Sequence, residues 1–178
     1  FSTVLLVFVV LFVGCIYLGS SATVASVDAE DKPVDPQVKA RTSLAWSTTS
    51  SSVLVELSFD KNIEVRRGVA ASRDTPPEVL ARLASDQDGY VREDVARSKS
   101  TPPQALVVLA KDIYLEIKRE VAKNPNTPAE ALRVLAADPG IGWLGRLWVA
   151  KNPNVTADTL KKLVNDYDKV FDIRRLKP

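Results

Sequence analysis

The sequence contains no histidine and only one cysteine, Cys15. One cysteine cannot form a disulfide within the chain, and zinc sites of the Cys/His type and histidine-based catalytic triads need residues that are missing. These absences exclude much of hydrolytic and redox enzymology. We expect neither a metal ion nor another cofactor.

Methionine is absent as well and the chain opens on Phe1, so we expect this sequence to lack its natural start. The chain also has almost no excess of charge of either sign, since 24 basic and 22 acidic residues leave a formal net charge of +2. A nucleic-acid-binding surface needs a separate cation for each phosphate that it contacts. We therefore expect no nucleic-acid partner.

A long apolar run stands at the N-terminus. Residues 1–18 (FSTVLLVFVVLFVGCIYL) are 18 residues without a charge, the lower limit for a helix that crosses a bilayer. We expect a single transmembrane anchor here. Residues 19–37 combine small, acidic and proline residues, which is typical of a flexible linker. Residues 38–178 are then the folded domain.

Two other interpretations of residues 1–18 stay open. In one, the segment is a signal peptide cleaved near Ala22 or Ser26; in the other, it is a lipoprotein signal and the Cys15 thiol takes the lipid. The residues after the segment are acidic, whereas cytoplasmic flanks are rich in Lys and Arg. The folded domain is therefore predicted on the periplasmic or extracellular side.

The rest of the chain is dominated by a repeat of 26 residues. Each copy begins with a Val-Arg or Ile-Lys pair and ends on an aspartate, and the three clear copies run over residues 65–86, 91–112 and 117–138. A fourth copy around Arg146 follows at an offset of 28 residues, a truncated fifth begins around Arg174, and a degenerate copy ends at Asp60. So many matches at one offset indicate a repeat architecture.

Each copy predicts a short helix, a turn and a longer helix. Thr75 and Glu78 have the spacing of a capping box, with Pro76 at the first helical position. Thr101 and Thr127 repeat this signal, and in the fourth copy Asn154 or Thr156 is the predicted cap. The longer helix then has one apolar stripe, Leu80, Leu83 and Ala84, and the shorter helix has another, Val65 and Val69.

One such unit is too small to bury its apolar stripes alone, so neighbouring units must stack. We therefore predict an all-α fold: an α-solenoid of about four to five repeats of 26–28 residues, preceded by a single N-terminal transmembrane helix.

The stretch VAKNPNTPAEALRVLAADP (residues 121–139) resembles the leucine-rich repeat variant family, as do residues 65–86 and 91–112. The resemblance implies a right-handed superhelix of alternating α- and 3₁₀-helices, a bacterial source and repeats without catalytic machinery. Some members of that family carry an iron–sulfur cluster ahead of the repeats. Such a cluster needs several cysteines, and Cys15 alone cannot hold it.

A ladder of basic residues at one repeat position is the first candidate for a binding site. Stacked repeats would align Arg66, Arg92, Lys118 and Arg146, with Arg119 beside Lys118. One interpretation is a stripe that binds an acidic partner. The other, which we favour, is a structural ladder of ion pairs with the equally regular aspartates Asp60, Asp86, Asp112, Asp138 and Asp166.

The second candidate is Trp143, which the two-residue expansion of the fourth copy places in a glycine-rich loop. Tryptophans on loops are frequent anchors for partners. Trp143 could equally fill the groove between repeats, and this structural role is expected for Trp148.

Most carboxylates stand at repeating positions that helix caps and ion pairs explain, so we expect no enzymatic activity. We expect a membrane-anchored scaffold that binds a protein partner as an accessory or stabilising subunit of a membrane protein complex. The alternative is a secreted or lipid-anchored envelope module that recognises a peptide or a polysaccharide.

Overall fold

The computed structural model describes residues 35–170, with side chains described to residue 165. The predicted anchor (residues 1–18), Cys15 and most of the predicted linker lie outside the described residues. So does Arg174, on which the truncated fifth repeat was predicted to begin. Within the described part no helix is both long and apolar enough to cross a membrane.

The described residues form ten α-helices and one short 3₁₀-helix, without a strand, in two layers. The first layer contains α1 (Pro36–Ser47), α3 (Ile63–Ala71), α5 (Gly89–Arg97), α7 (Leu115–Lys123) and α9 (Gly142–Lys151). The second layer contains α2 (Ser51–Leu57), α4 (Pro77–Leu83), α6 (Pro103–Leu109), α8 (Ala129–Ala137) and α10 (Ala157–Val170), and the 3₁₀-helix is Pro139–Ile141.

Each first-layer helix packs on the next one in the same layer, and α4, α6, α8 and α10 do the same in the second layer. The prediction of an all-α stack of repeats is therefore confirmed. The resemblance implied alternating α- and 3₁₀-helices, but in the described residues the two helices of each complete repeat are α-helical, and the one 3₁₀-helix is Pro139–Ile141 in the expansion of the fourth repeat. Helix α1 begins at Pro36, inside the segment predicted as linker, and the Asp35 side chain caps it by accepting from the Gln37 amide at 2.9 Å.

The apolar positions of the repeat form one continuous core between the layers. Leu80, Leu106 and Leu132 are fully buried in the second layer, and Val69, Val95 and Val121 are fully buried in the first. The stripes read from the sequence thus face each other as predicted.

The predicted capping boxes are wrong. The second-layer helices begin one residue later than expected, with Pro76, Pro102 and Pro128 as N-caps that make no side-chain capping bond. Thr75 therefore lies outside its helix, where its buried hydroxyl donates to the Val69 carbonyl at 2.5 Å. In the fourth repeat, the Thr156 hydroxyl accepts from the Thr159 amide at 3.3 Å, so Thr156 is confirmed as the cap.

Asparagine side chains join neighbouring repeats at the turns between the layers. Asn124 Nδ2 donates to the carbonyls of Ala96 at 2.8 Å and Ser98 at 2.9 Å, one repeat back. Asn152 does the same to the carbonyls of Ala122 and Asn124, both at 2.9 Å. These bonds satisfy carbonyls that the helix ends leave without a partner, and they fix the spacing between repeats.

Candidate functional site

The predicted basic ladder is, over its first complete repeats, a ladder of ion pairs inside the protein. Arg66 donates from Nε and Nη2 to the two carboxylate oxygens of Asp86, at 2.8 and 3.0 Å. Arg92 makes the same fork to Asp112, at 2.7 and 3.2 Å. Only 7% of the Arg66 side chain and 13% of the Arg92 side chain are exposed. Neither guanidinium has its charge free for a partner.

Each rung ties two consecutive inter-repeat turns together. Arg66 Nη1 donates to the carbonyls of Asp60 at 2.9 Å and Lys61 at 3.1 Å, in the turn that precedes its own helix. Its carboxylate partner Asp86 lies in the following turn and accepts from the Asp88 amide at 2.9 Å. The aspartate therefore orders the turn and neutralises the arginine.

The ladder continues beyond these two pairs. Lys118 Nζ lies 2.6 Å from Asp138, and Arg41 Nε, which the sequence analysis did not single out, lies 2.6 Å from Asp60. Lysine offers a single contact where arginine offers a fork. The side chain of Asp166, the predicted partner of Arg146, lies outside the described residues.

The ion pairs lower the pKa values of the ladder aspartates. Burial, the largest single influence on Asp112, raises its pKa, but the hydrogen bond and charge of Arg92 and the amide of Tyr114 together hold it below its ordinary value. At Asp138 the hydrogen bond from Lys118 is the largest influence, and it lowers the pKa against the effect of burial. The carboxylates are therefore held ionised, as a structural ladder requires.

Four large apolar or aromatic side chains lie exposed where α5, α7 and α9 begin. Tyr90 is 63% exposed, Ile113 82%, Tyr114 50% and Trp143 76%. The three helices stack in one layer and run in the same direction in successive repeats, so their N-terminal ends meet at one edge. We call these four residues the aromatic edge.

Two rings of the aromatic edge lie against arginines from the preceding helix of the first layer. The Arg67 guanidinium lies 5.5 Å from the centre of the Tyr90 ring, and Arg92 lies 5.6 Å from the centre of the Tyr114 ring. Cation–π contacts of this kind orient a ring that solvent would otherwise leave free.

A cleft of about 390 Å³ lies between Tyr90 and Tyr114. Gly89 forms part of it, and a Cβ on Gly89 would lie 3.1 Å from the Tyr114 ring, so glycine keeps that ring close to α5. Three carboxylates line the cleft, Asp88, Glu93 and Glu116, together with Ile117. The cleft is large enough for one side chain of a partner.

The family model described as leucine rich repeat variant matches the chain at residues 63–88 and at residues 115–140. Each match begins on the first residue of a first-layer helix, α3 or α7, and ends in or just after the turn ordered by a ladder aspartate. The two matched stretches are thus similar to leucine rich repeat variant repeats. No curated protein matches the chain, and no solved structure matches it.

The intervening stretch, residues 89–114, has the same two helices as the two matched stretches. The match therefore supports the resemblance stated from the sequence. Such repeats indicate a scaffold for protein interaction, and within residues 35–165 no group of three or more potential metal-binding side chains comes together.

Four of the predicted site residues fall into two groups. Arg66, Arg92 and Lys118 belong to the ion-pair ladder, whereas Trp143 lies on the aromatic edge. Trp143 is not in a loop as predicted: the extra residues form the 3₁₀-helix, and Trp143 follows in the first turn of α9. Gly142, with φ of 68°, makes this direct transition from one helix to the next.

Arg119 and Trp148 lie within the stack of repeats but outside the ladder. Trp148 is partly buried against the core, as expected for a structural residue. Arg119 is half-buried, and it makes no ion pair among the side chains described in residues 35–165.

Tyr90, Ile113 and Tyr114 were missed by the sequence analysis because they do not occupy one repeat position. A signal was nevertheless present. Three successive intervals between a ladder aspartate and the next ladder base contain an aromatic residue: Tyr90 after Asp86, Tyr114 after Asp112 and Trp143 after Asp138.

Proposed function

We propose that the chain is a non-enzymatic scaffold that binds a protein partner through the aromatic edge. The observation that carries the proposal is the exposure of Tyr90, Ile113, Tyr114 and Trp143 at one edge of three stacked helices. Tyrosine and tryptophan are the side chains that most often supply binding energy at protein interfaces. The cleft between Tyr90 and Tyr114 adds a place for one partner side chain.

The ion-pair ladder supports this assignment by its internal role. Its buried charges give the stack a fixed spacing, and a rigid edge loses little conformational freedom when it binds. In this proposal the ladder positions the aromatic edge and does not itself contact the partner.

We further propose that residues 1–18 anchor the scaffold in a membrane, with a right-handed superhelix of repeats on the periplasmic or extracellular side. The partner is then a membrane protein complex, of which this chain is an accessory or stabilising subunit. This part of the proposal rests on the uncharged 18-residue segment and on the acidic residues after it.

The alternative is a secreted or lipid-anchored envelope module, for which the position of Cys15 directly after Gly14 is the supporting observation. Mass spectrometry of the mature N-terminus distinguishes the two. An intact segment 1–18 is expected, whereas cleavage near Ala22 or Ser26, or lipid on Cys15, would contradict the anchor.

The proposed surface is tested by purifying the full chain from its native membranes as wild type and as Trp143→Ala. We expect the variant to lose at least about tenfold of a specific co-purifying protein, because truncating an interface anchor costs about 2 kcal/mol or more. Val108→Ala is the matched control, since Val108 is 53% exposed on the second-layer helix α6. Equal loss in both variants, or in neither, would refute the assignment.

A further inference from the structure

Arg119 lacks the ion pair that the equivalent arginine of an earlier repeat makes. The equivalent residue in the first complete repeat is Arg67, four residues before the end of α3, as Arg119 is four residues before the end of α7. Arg67 Nε donates to Asp94 at 2.8 Å, and its Nη1 lies 3.4 Å from Glu64. Both contacts are to carboxylates, and Asp94 belongs to the next helix of the layer.

At the position where the partner of Arg119 is expected, the chain has a tryptophan and not a carboxylate. Asp94 stands three residues before the end of α5, and the residue three before the end of α9 is Trp148, which cannot accept a hydrogen bond. Glu116 corresponds to Glu64 but forms no ion pair with Arg119 among the described side chains.

Two donors are left without an acceptor as a result. Arg119 Nε and Trp148 Nε1 are both buried and form no hydrogen bond. A buried donor without an acceptor costs about 1–3 kcal/mol, and more when it is charged. The Nη groups of Arg119 are not among these buried atoms, so an acceptor from outside would reach the guanidinium there.

The guanidinium of Arg119 lies at the aromatic edge. A Cβ on Gly142 would be 4.0 Å from Arg119 Nη2, and the next residue is the exposed Trp143. Helix α9 itself contains Arg146 and Lys151 but no carboxylate, whereas α5 contains Glu93 and Asp94. On the neighbouring segments, Asp138 pairs with Lys118 and Glu120 pairs with Lys123, and Glu116 lines the cleft between Tyr90 and Tyr114. Helix α9 therefore offers Arg119 no carboxylate of its own.

We propose that Arg119, beside Trp143, binds a carboxylate side chain that the protein partner presents to the aromatic edge. This inference rests on the proposed function and specifies the chemistry of the partner: an acidic residue next to an apolar contact. In the complex, the carboxylate neutralises Arg119 from outside, through the Nη groups, whereas Asp94 neutralises Arg67 through Nε.

The test uses the full chain, labelled with ¹⁵N and solubilised in detergent, and the peptide acetyl-Gly-Glu-Glu-Gly-amide. The chain has three tryptophans, so its indole N–H groups give three resolvable signals. We expect the peptide to shift the signals of Trp143 and the Arg119 Nε–H, but not that of Trp46 in α1. The matched peptide with glutamine in place of glutamate should shift none of them.

Arg119→Gln should weaken the affinity for the glutamate peptide at least about tenfold, because a charge-assisted hydrogen bond is lost. Arg133→Gln, which removes an exposed arginine from α8, should leave the affinity unchanged. The inference is overturned if the glutamate peptide produces no shift at Trp143, if both variants respond alike, or if only inorganic phosphate produces the shift.

The inference and the proposed function fail separately. If Trp143→Ala loses the co-purifying protein but the glutamate peptide causes no shift, the edge binds a partner through other chemistry. If the peptide binds but Trp143→Ala keeps its co-purifying protein, the carboxylate site exists and the aromatic edge is not the partner surface.

Discussion

At the scale of single residues, the repeat depends on an aspartate and a threonine whose polar groups are satisfied inside the protein. The aspartate orders a turn and pairs with an arginine or lysine 20 residues earlier, as in Arg66–Asp86. The threonine donates to a carbonyl six residues earlier, as Thr101 does to Val95 at 2.5 Å. The ion pairs could be predicted because base and aspartate recur together at constant spacing. The threonine bond could not, since the pattern Thr-Pro allows the helix to begin at the proline, with the threonine as its cap, or one residue later, with the threonine outside the helix.

We expect Thr101→Val to lower the free energy of unfolding by about 1 kcal/mol, because the buried Val95 carbonyl loses the threonine hydroxyl and keeps only the Ser98 amide at 3.1 Å. The substitution should still fold, since Val155 occupies the equivalent position in the fourth repeat. Denaturation in urea measures the effect, with the exposed Ser85→Ala as the control. A variant as stable as the wild type would show that the threonine bond contributes nothing.

Asp112→Asn should lower the free energy of unfolding by about 2 kcal/mol at neutral pH, because it removes the charge that faces Arg92. Since the folded protein lowers the pKa of Asp112, this stabilisation is present above the unfolded pKa of about 3.9 and is lost as the pH falls through the folded value. The difference between wild type and variant should therefore shrink below about pH 4.

The control for this titration is Asp158→Asn. The side chain of Asp158 is 94% exposed, so its substitution should change the free energy of unfolding by less than about 0.5 kcal/mol at any pH. A constant difference between wild type and Asp112→Asn from pH 7 to pH 2 would contradict the ionised ladder.

At the scale of helices, the 26-residue period predicted where most elements lie, because apolar stripes at helical spacing identify the buried faces. The period does not predict the fourth repeat correctly, because its two-residue expansion indicates a loop. The structure converts the expansion into a 3₁₀-helix that buries Ile141 completely. Gly145 stands where the third repeat has the core residue Ile117, and the missing side chain makes room for Ile141.

Gly145→Ala should therefore destabilise the protein by about 1–3 kcal/mol, because the new Cβ would overlap Ile141 Cγ1 and lie 3.0 Å from its Cδ1. In an Ile141→Ala background the same change should cost clearly less, since the overlapping atoms are gone. Thermal or urea denaturation of the four proteins gives the coupling. Additive costs would mean that the two residues do not share this space.

At the scale of the whole described array, stacking in one direction gathers the starts of α5, α7 and α9 at a single edge. Repetition alone predicts the core and the ladder, because each of their residues returns at the same position in successive copies. The aromatic edge uses a different position in each copy, so Trp143 was found from the sequence and Tyr90, Ile113 and Tyr114 were not. Partner binding is expected where the copies differ, because identical positions are already occupied by the contacts between repeats.

The most direct measurement places the photo-crosslinking residue benzoylphenylalanine, one position at a time, at residues 114, 143 and 108 of the full chain in native membranes. We predict that positions 114 and 143 give a protein adduct of the same discrete mass, whereas position 108, exposed on α6, gives none. Adducts from position 108 alone, or from no position at all, would contradict the aromatic edge as the partner-binding surface.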